Sequence, residues 1–379
     1  MAMQAVFLTT VHNRDDTRVF HKEAHDVGAL NDLELTVIVA DGKGNEAREF
    51  YTIHDVGCFS NRAARFFLGS LKAYNAVKKL NPRVVHFHDP ELMLVTWLLT
   101  FSGYAVIYDV HENVSEDIRD KYWLPKAIRG AVSWCYKLTE RLCISRFYKI
   151  IAATPDIHSC YPVHKALLVQ NFPRLEEFNL SERSGRVNKV DPYVSYLGAI
   201  TRIRGVDNVV RAMQIVNQTG ALVRFKIGGF FQQVDHLESL SALPAWDYVD
   251  FLGVVERSEV CEFLSNSLCG VVCFLPAHNH LKAQPNKLFE YMAAGIPVIA
   301  SDFPLWRKII EDYDCGVLVD PQSPEDIAQA ICYLSNDEER RQKMGRNGVM
   351  AVRSFLNWQA ESEKLLGLYA EIMQEVGGK

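Results

Sequence analysis

The residues best able to do chemistry lie in short polar clusters, each following or opening an apolar run. The most informative is Ala283-Gln-Pro-Asn-Lys-Leu-Phe-Glu290, where a helical pattern opens near Asn286 and runs to a glycine stop at Gly295. A helix N-terminus offers unpaired amides and about half a positive charge, which suits a diphosphate. Lys287 adds a cation to the first turn, where the helix dipole favours an anion, so the lysine reads as serving a ligand. Glu290 lies three residues on and shares its face, where a carboxylate can accept two ribose hydroxyls. A surface Lys–Glu pair at a helix end is the alternative reading of the same residues.

The first half carries a different set. Val85-His-Phe-His-Asp-Pro-Glu91 ends a strand with His86, His88, Asp89 and Glu91. The two histidines alternate along the strand with only Asp89 adjacent, so no metal site is expected. Tyr108-Asp-Val-His-Glu112 ends another strand and offers His111, which Asp109 or Glu112 would orient; the alternative is a histidine capping Trp123 or a nearby helix. Thr10 to Arg18 holds His12, Arg14, Asp15, Asp16 and Arg18, read either as acceptor contacts and cleft closure or as a solvated loop. Asp312-Tyr-Asp314 reads as an exposed loop. Val56 to His88 holds Arg62, Arg65, Lys72, Lys78, Lys79 and Arg83 with no acid, interleaved with Phe59, Phe66, Phe67, Leu68, Leu71 and Tyr74. Such a basic amphipathic surface suits transient contact with anionic lipid, although part of its apolar face must pack on a sheet.

Positioning these clusters requires a frame, and the chain supplies one by alternation. Ala5–Thr10, Leu35–Val39, Val84–His88, Ala105–Asp109 and Lys149–Ala153 read as strands, separated by helical-period segments such as Phe67–Lys79 and Lys126–Cys143. The rhythm restarts after a polar stretch, Asn171–Asp191, with strands at Tyr193–Leu197, Arg224–Ile227, Tyr248–Leu252, Gly270–Phe274, Pro297–Ala300 and Gly316–Val319. Strands alternating with helices predict parallel sheets covered on both faces. The expected class is α/β, with two Rossmann-like doubly wound domains at 1–172 and 173–355 facing across a cleft. A helix at 356–379 is expected to pack back towards the first. Ligands of such sheets bind at the carboxyl ends of strands, where every cluster above falls.

Composition narrows the classes. The 379 residues carry a formal charge of −5, with 21 basic against 19 acidic residues up to Leu175 and 20 against 27 beyond it. That balance speaks against a nucleic-acid partner. Nine scattered cysteines include no CxxC pair, as expected of free thiols in a reducing compartment. The longest apolar stretch, Leu92–Phe101, is about half the ~20 residues of a membrane span, and no signal-peptide core is seen. The expected location is cytoplasmic, peripheral at the inner face of the membrane.

The segment from Ala283 to Asp302 resembles the signature of retaining GT-B glycosyltransferases of family four (group 1), in an Asn-Lys-x-Phe-Glu variant. Tyr196-Leu-Gly-Ala-Ile-Thr-Arg-Ile-Arg-Gly-Val206 is similar to that family's strand–loop–helix opening of the donor domain, and Val249-Asp-Phe-Leu-Gly-Val-Val255 to its nucleotide-base strand. The resemblance implies a transferase acting on a nucleotide sugar, UDP-linked rather than GDP-linked, without metal or cofactor. Its donor site would comprise Gly198, Arg202, Arg204, Gly253, Val254, Asn286, Lys287, Leu288 and Glu290. His111, Arg204 and Lys287 would act at the reacting sugar and leaving diphosphate. Arg14, Asp16, Arg18, His88 and Asp89 would meet a glycan or lipid-linked acceptor, in bacterial cell-surface polysaccharide synthesis. Two departures stand out: Lys282 replaces the first glutamate of the family's pair, and Ala199 replaces its arginine. A sugar-nucleotide epimerase of the same fold and a non-catalytic nucleotide-binding subunit are the competing expectations.

Overall fold

The computed structural model describes residues 2–120, 124–178 and 192–377; Trp123 and residues 179–191 of the polar stretch lie outside them. The chain forms two compact units, Met1–Asn171 with Ala360–Lys379, and Phe172–Gln359.

The strands of unit 1 are β1 (Met3–Leu8), β2 (Leu33–Val39), β3 (Glu46–Ala47), β4 (Thr52–Asp55), β5 (Val84–Phe87), β6 (Ala105–Val110), β7 (Lys149–Ala152) and β8 (Ala166–Leu168). They form one sheet in the order β3-β4-β2-β1-β5-β6-β7-β8, parallel except at the short edge strand β3. Unit 2 contains β9 (Tyr193–Leu197), β10 (Arg224–Gly228), β11 (Val249–Gly253), β12 (Cys269–Val272), β13 (Val298–Ser301) and β14 (Gly316–Val319), in the all-parallel order β11-β10-β9-β12-β13-β14. In both sheets the strand order reverses beside the first strand, between β1 and β5 and between β9 and β12. Loops leaving such a switch point diverge to opposite faces and open a crevice at the strand ends.

The helices used below are α1 (Ser70–Leu80), α2 (Met93–Thr100), α3 (Lys126–Ile144), α4 (Val206–Gln218), α5 (Arg257–Ser265), α6 (His278–Lys282), α7 (Asn286–Ala293) and α8 (Trp358–Gly377). Helices on both faces bury the central strands on both sides, so β5 and β13 are buried at every position. Side-chain alternation divides the core of unit 2 into two layers. Val194 and Tyr196 of β9 join Val209 and Met213 of α4 in one layer, while Leu197 joins Phe289 and Met292 of α7 in the other. In unit 1, α8 buries Leu365, Leu368, Tyr369 and Ile372. Its Tyr369 hydroxyl lies 3.1 Å from His86 Nδ1 on β5, across 283 positions of sequence.

Candidate functional site

In unit 2 the polar groups gather where β9 ends and α7 begins. Gly198 turns the chain at φ +114°, and a Cβ built on it would lie 2.8 Å from the Lys287 amine. Glycine therefore meets two demands here, a left-handed backbone and close approach of a side chain. Pro285 enters α7 with extended backbone, and no side chain caps the helix. The Lys287 amine sits 5.1 Å from the Tyr196 ring centroid. Burial, with the nearby Arg204 charge, pushes this amine down to about 7, against a smaller opposing pull from Glu290. Arg204 donates from Nη1 to the Ala199 carbonyl at 2.8 Å and stands 5.7 Å from the Phe274 ring centroid. Among the described residues no carboxylate forms an ion pair with either cation. Two adjacent positive groups without a counter-ion, beside an uncapped helix start, make a receptor for a di-anion.

The remaining donor residues divide. Glu290 accepts from Arg257 Nη1 at 3.0 Å, and Arg257 also pairs with Glu177. Arg257 opens α5 beyond the turn at half-buried Gly253 and exposed Val254, outside the base-strand pattern, which stops at Val255. Two expectations need correction. Arg202 turns to Asp235 (3.4 Å), Ser239 (3.4 Å) and Asp207 (3.7 Å) on an exposed surface rather than joining Lys287. Leu288 has its side chain wholly buried in the core, so only its backbone is available. Asn286, at the first position of α7, is exposed, and Lys282 closes α6.

Because φ at Gly198 disfavours any Cβ and the Lys287 amine fills that space, Gly198→Ala is expected to weaken nucleotide binding roughly tenfold or more, since backbone strain of about 1–2 kcal/mol adds to displacement of the amine. Calorimetric titration of the purified variant with UDP checks this; unchanged affinity would show that the turn tolerates a side chain.

In unit 1 a second polar cluster occupies the ends of β1, β5 and β6. Asp89 is buried and holds the 9–12 loop, accepting from Thr9 Oγ1 at 2.9 Å, Thr10 N at 2.5 Å and Val11 N at 3.1 Å. Its other oxygen lies 2.9 Å from His12 Nδ1. Burial alone would lower the pKa of His12, but the Asp89 hydrogen bond and charge outweigh it and raise the value. His111 lies 3.2 Å from Asp109 and 4.9 Å, ring to ring, from His12. Both histidines are partly exposed, while His88 is fully buried between Asp109 (3.4 Å) and Glu23 (3.9 Å), and burial lowers its pKa.

The structure gives most of the expected acceptor contacts partners within unit 1. Arg14 is committed to Asp41 (2.7 and 2.8 Å), Glu46 (3.0 Å) and the Gly44 carbonyl (2.6 Å). Arg18 is buried against Asp109 (3.0 and 3.1 Å), Glu23 (2.9 Å) and the Val169 carbonyl (2.8 Å). Asp16 caps the π-helical segment Thr17–Ala24 by accepting from the Arg18 and Val19 amides. Asp89 and His88 are likewise interior. These residues shape the loop; of the group, Asp15 is exposed and His12 is partly exposed alongside His111.

Among the described residues, Glu23, His86, His88 and Asp109 bring donor atoms within 4.8 Å of one another and could hold a metal. Arg18 already places a fixed cation against both carboxylates, which a divalent ion would have to displace. Burial pushes the Glu23 carboxyl well up, whereas for Asp109 burial is outweighed by Arg18 and His111, which hold it well down.

A family model described as "Glycosyl transferases group 1" matches residues 178–349. The alpha-D-kanosaminyltransferase of Streptomyces kanamyceticus is 27% identical over 194 residues, 51% of this chain and 48% of that protein. The chain spans about half the length of the curated relatives it matches. Sucrose-phosphate synthase from Thermosynechococcus elongatus shares the fold with TM-score 0.78 at 17% identity, over 98% of this chain and all of that one. Anabaena HepE, solved in complex with UDP, does so with TM-score 0.70 at 11% identity, over 97% of this chain and all of that one. No helix among the described residues is long and apolar enough to cross a membrane. Residues 178–349 thus resemble the group 1 glycosyl transferases, relatives matched over part of the chain are named glycosyltransferases, and the two parallel-sheet α/β units have the GT-B fold.

Proposed function

We propose that the chain is a glycosyltransferase that takes a sugar from a nucleoside diphosphate, UDP in preference to GDP, and passes it with retention to a glycan or lipid-linked acceptor of a bacterial surface polysaccharide. The observation that carries this reading is the pair of cations, Lys287 and Arg204, gathered at the Gly198 turn and the start of α7 with no ion pair to a carboxylate among the described residues. A diphosphate supplies the missing negative charge. As the bond from the anomeric carbon to the phosphate oxygen breaks, charge accumulates on that oxygen, and preorganised cations stabilise it most. The acceptor oxygen forms its bond on the same face, and its proton passes to the departing phosphate. No metal is required in this scheme. Glu290, steered by Arg257, retains a second oxygen for ribose. His111, held by Asp109, positions the sugar.

A second reading is favoured by His12. A histidine braced by a buried carboxylate is built as a general base, and attack assisted by His12 from the opposite face would invert the anomeric centre. The anomeric configuration of the product decides between the two.

The binding step has a pH signature. In the free protein Lys287 is protonated below its value of about 7 and neutral above it. A diphosphate beside it restores the charged form. Titration calorimetry with UDP and GDP, in buffers of different ionisation enthalpy, is expected to show almost no proton uptake at about pH 6 and approaching one proton at about pH 8.5. Affinity should fall across the same interval. Absence of binding by either nucleotide, or binding without uptake, would overturn the assignment.

A further inference from the structure

The helices on one side of unit 1 expose an apolar surface that the proposed chemistry does not use. Helix α2 packs against both α1 and α3, so the three are neighbours. Phe67 and Leu71, Leu98 and Phe101, and Trp134 and Leu138 are all exposed, Phe67 by 69% and Trp134 by 64%. Soluble proteins scatter single apolar residues over their surfaces; contiguous groups of large ones mark an interface.

Helix α3 shows that the arrangement is built in. Trp134, Leu138 and Leu142 recur at helical spacing on its outward face. Its inward face carries polar groups, each with a partner. Ser133 donates to the Ser115 carbonyl at 2.6 Å, Tyr136 meets the Tyr108 hydroxyl at 3.4 Å, and Glu140 accepts from Tyr161 at 2.8 Å. Cys143, Tyr136 and Ile144 pack inward on the core, so the exposed row of Trp134, Leu138 and Leu142 is a second apolar stripe beyond the one an ordinary amphipathic surface helix carries.

Charge narrows the occupant. Residues 56–88 contain six cations and no acid, and α3 adds Lys126, Arg129, Lys137 and Arg141 against Glu140 alone, whose carboxylate is turned inward to Tyr161. The chain as a whole carries −5, so this face has the opposite sign from the rest. A second copy of the same face would bring cation against cation. An anionic bilayer satisfies both features, accepting the rings at the acyl boundary and the cations at the headgroups.

We propose that the α1–α2–α3 face of unit 1 docks on an anionic phospholipid bilayer. This goes beyond the reading of glycosyl transfer and does not rest on it. The test is co-sedimentation of the full chain with phosphatidylglycerol-containing vesicles and with pure phosphatidylcholine vesicles. The chain should pellet with the first, far less with the second, and less as salt is raised. Trp134→Ser with Leu138→Ser should lower the partition coefficient at least roughly tenfold. Lys137→Glu with Arg141→Glu should remove most of the salt-dependent part. All four positions are exposed, so the fold should persist, verified by circular dichroism and unchanged UDP binding. Three outcomes overturn the proposal: no pelleting with anionic vesicles, pelleting indifferent to both variants, or a concentration-dependent dimer that Trp134→Ser dissolves. The assay needs neither donor nor acceptor, so its failure would leave the Lys287 site untouched.

Discussion

Lys287→Met is expected to lower kcat/KM by roughly 10²- to 10³-fold, the range found when one preorganised donor to a developing oxyanion is removed, and to raise thermal stability. The two effects have one origin. The amine is buried beside Arg204, which pushes it down to about 7 in the folded chain, while the unfolded chain keeps an ordinary lysine value near 10.4. Between those values the unfolded state binds the extra proton, so the wild-type protein gains stability as pH rises through that window. At neutral pH the folded state bears a cost that methionine abolishes, on the order of 1–3 kcal/mol after allowance for relaxation of the site. Denaturant unfolding and steady-state kinetics on the same preparation give both numbers. A variant that lost activity and stability together would identify Lys287 as a structural residue, and the donor assignment would fail with it.

Arg18→Met should be the most damaging single substitution in unit 1. It leaves Asp109 and Glu23 without their cation in a site that excludes water, and breaking a buried pair by removing one partner costs about 3–5 kcal/mol. Asp109→Asn alone leaves Arg18 paired only with Glu23 and should cost a similar amount. The double variant should be less destabilised than the sum of the two, since the groups share one network. Urea midpoints for the three variants test this. A loss below about 1 kcal/mol for Arg18→Met would mean that water reaches the cluster. Because Asp109 also holds His111 at 3.2 Å, activity should fall even where the variant remains folded.

The alternation of strands and helices was legible because β-rich apolar runs and helical periods follow each other in order, and parallel sheets bury whole strands. Short edge strands such as β3 and β8 were not, since two or three residues carry no period. At the donor site, residue type alone pointed to Lys287, a cation on a first helical turn, whereas Arg204 and Gly198 were singled out through the resemblance of Tyr196–Val206 to the family's donor-domain opening. Arg257 escaped because its value lies in a partner, Glu290, 33 positions away. The acceptor cluster misled for the opposite reason. Arg14, Asp16 and Arg18 have the composition of a binding loop, but whether a charged side chain faces water or a buried carboxylate depends on β2, β4 and β6 beside it. Nothing in Thr10–Arg18 records those neighbours.

The hydrogen bond between Tyr369 and His86 has a temporal meaning. Unit 1 is discontinuous, begun before residue 171 and completed after residue 360, with all of unit 2 inserted in between. At about 5–20 residues per second of synthesis, the 283 positions separating the two partners correspond to roughly 15–60 s on the ribosome. Unit 2, being continuous, has its whole sequence translated before Tyr369 exists. The eight-stranded sheet must wait through that interval without α8, with the positions that Leu365, Leu368 and Ile372 will cover still open to solvent, and the first half of the chain to be made is the second to be finished.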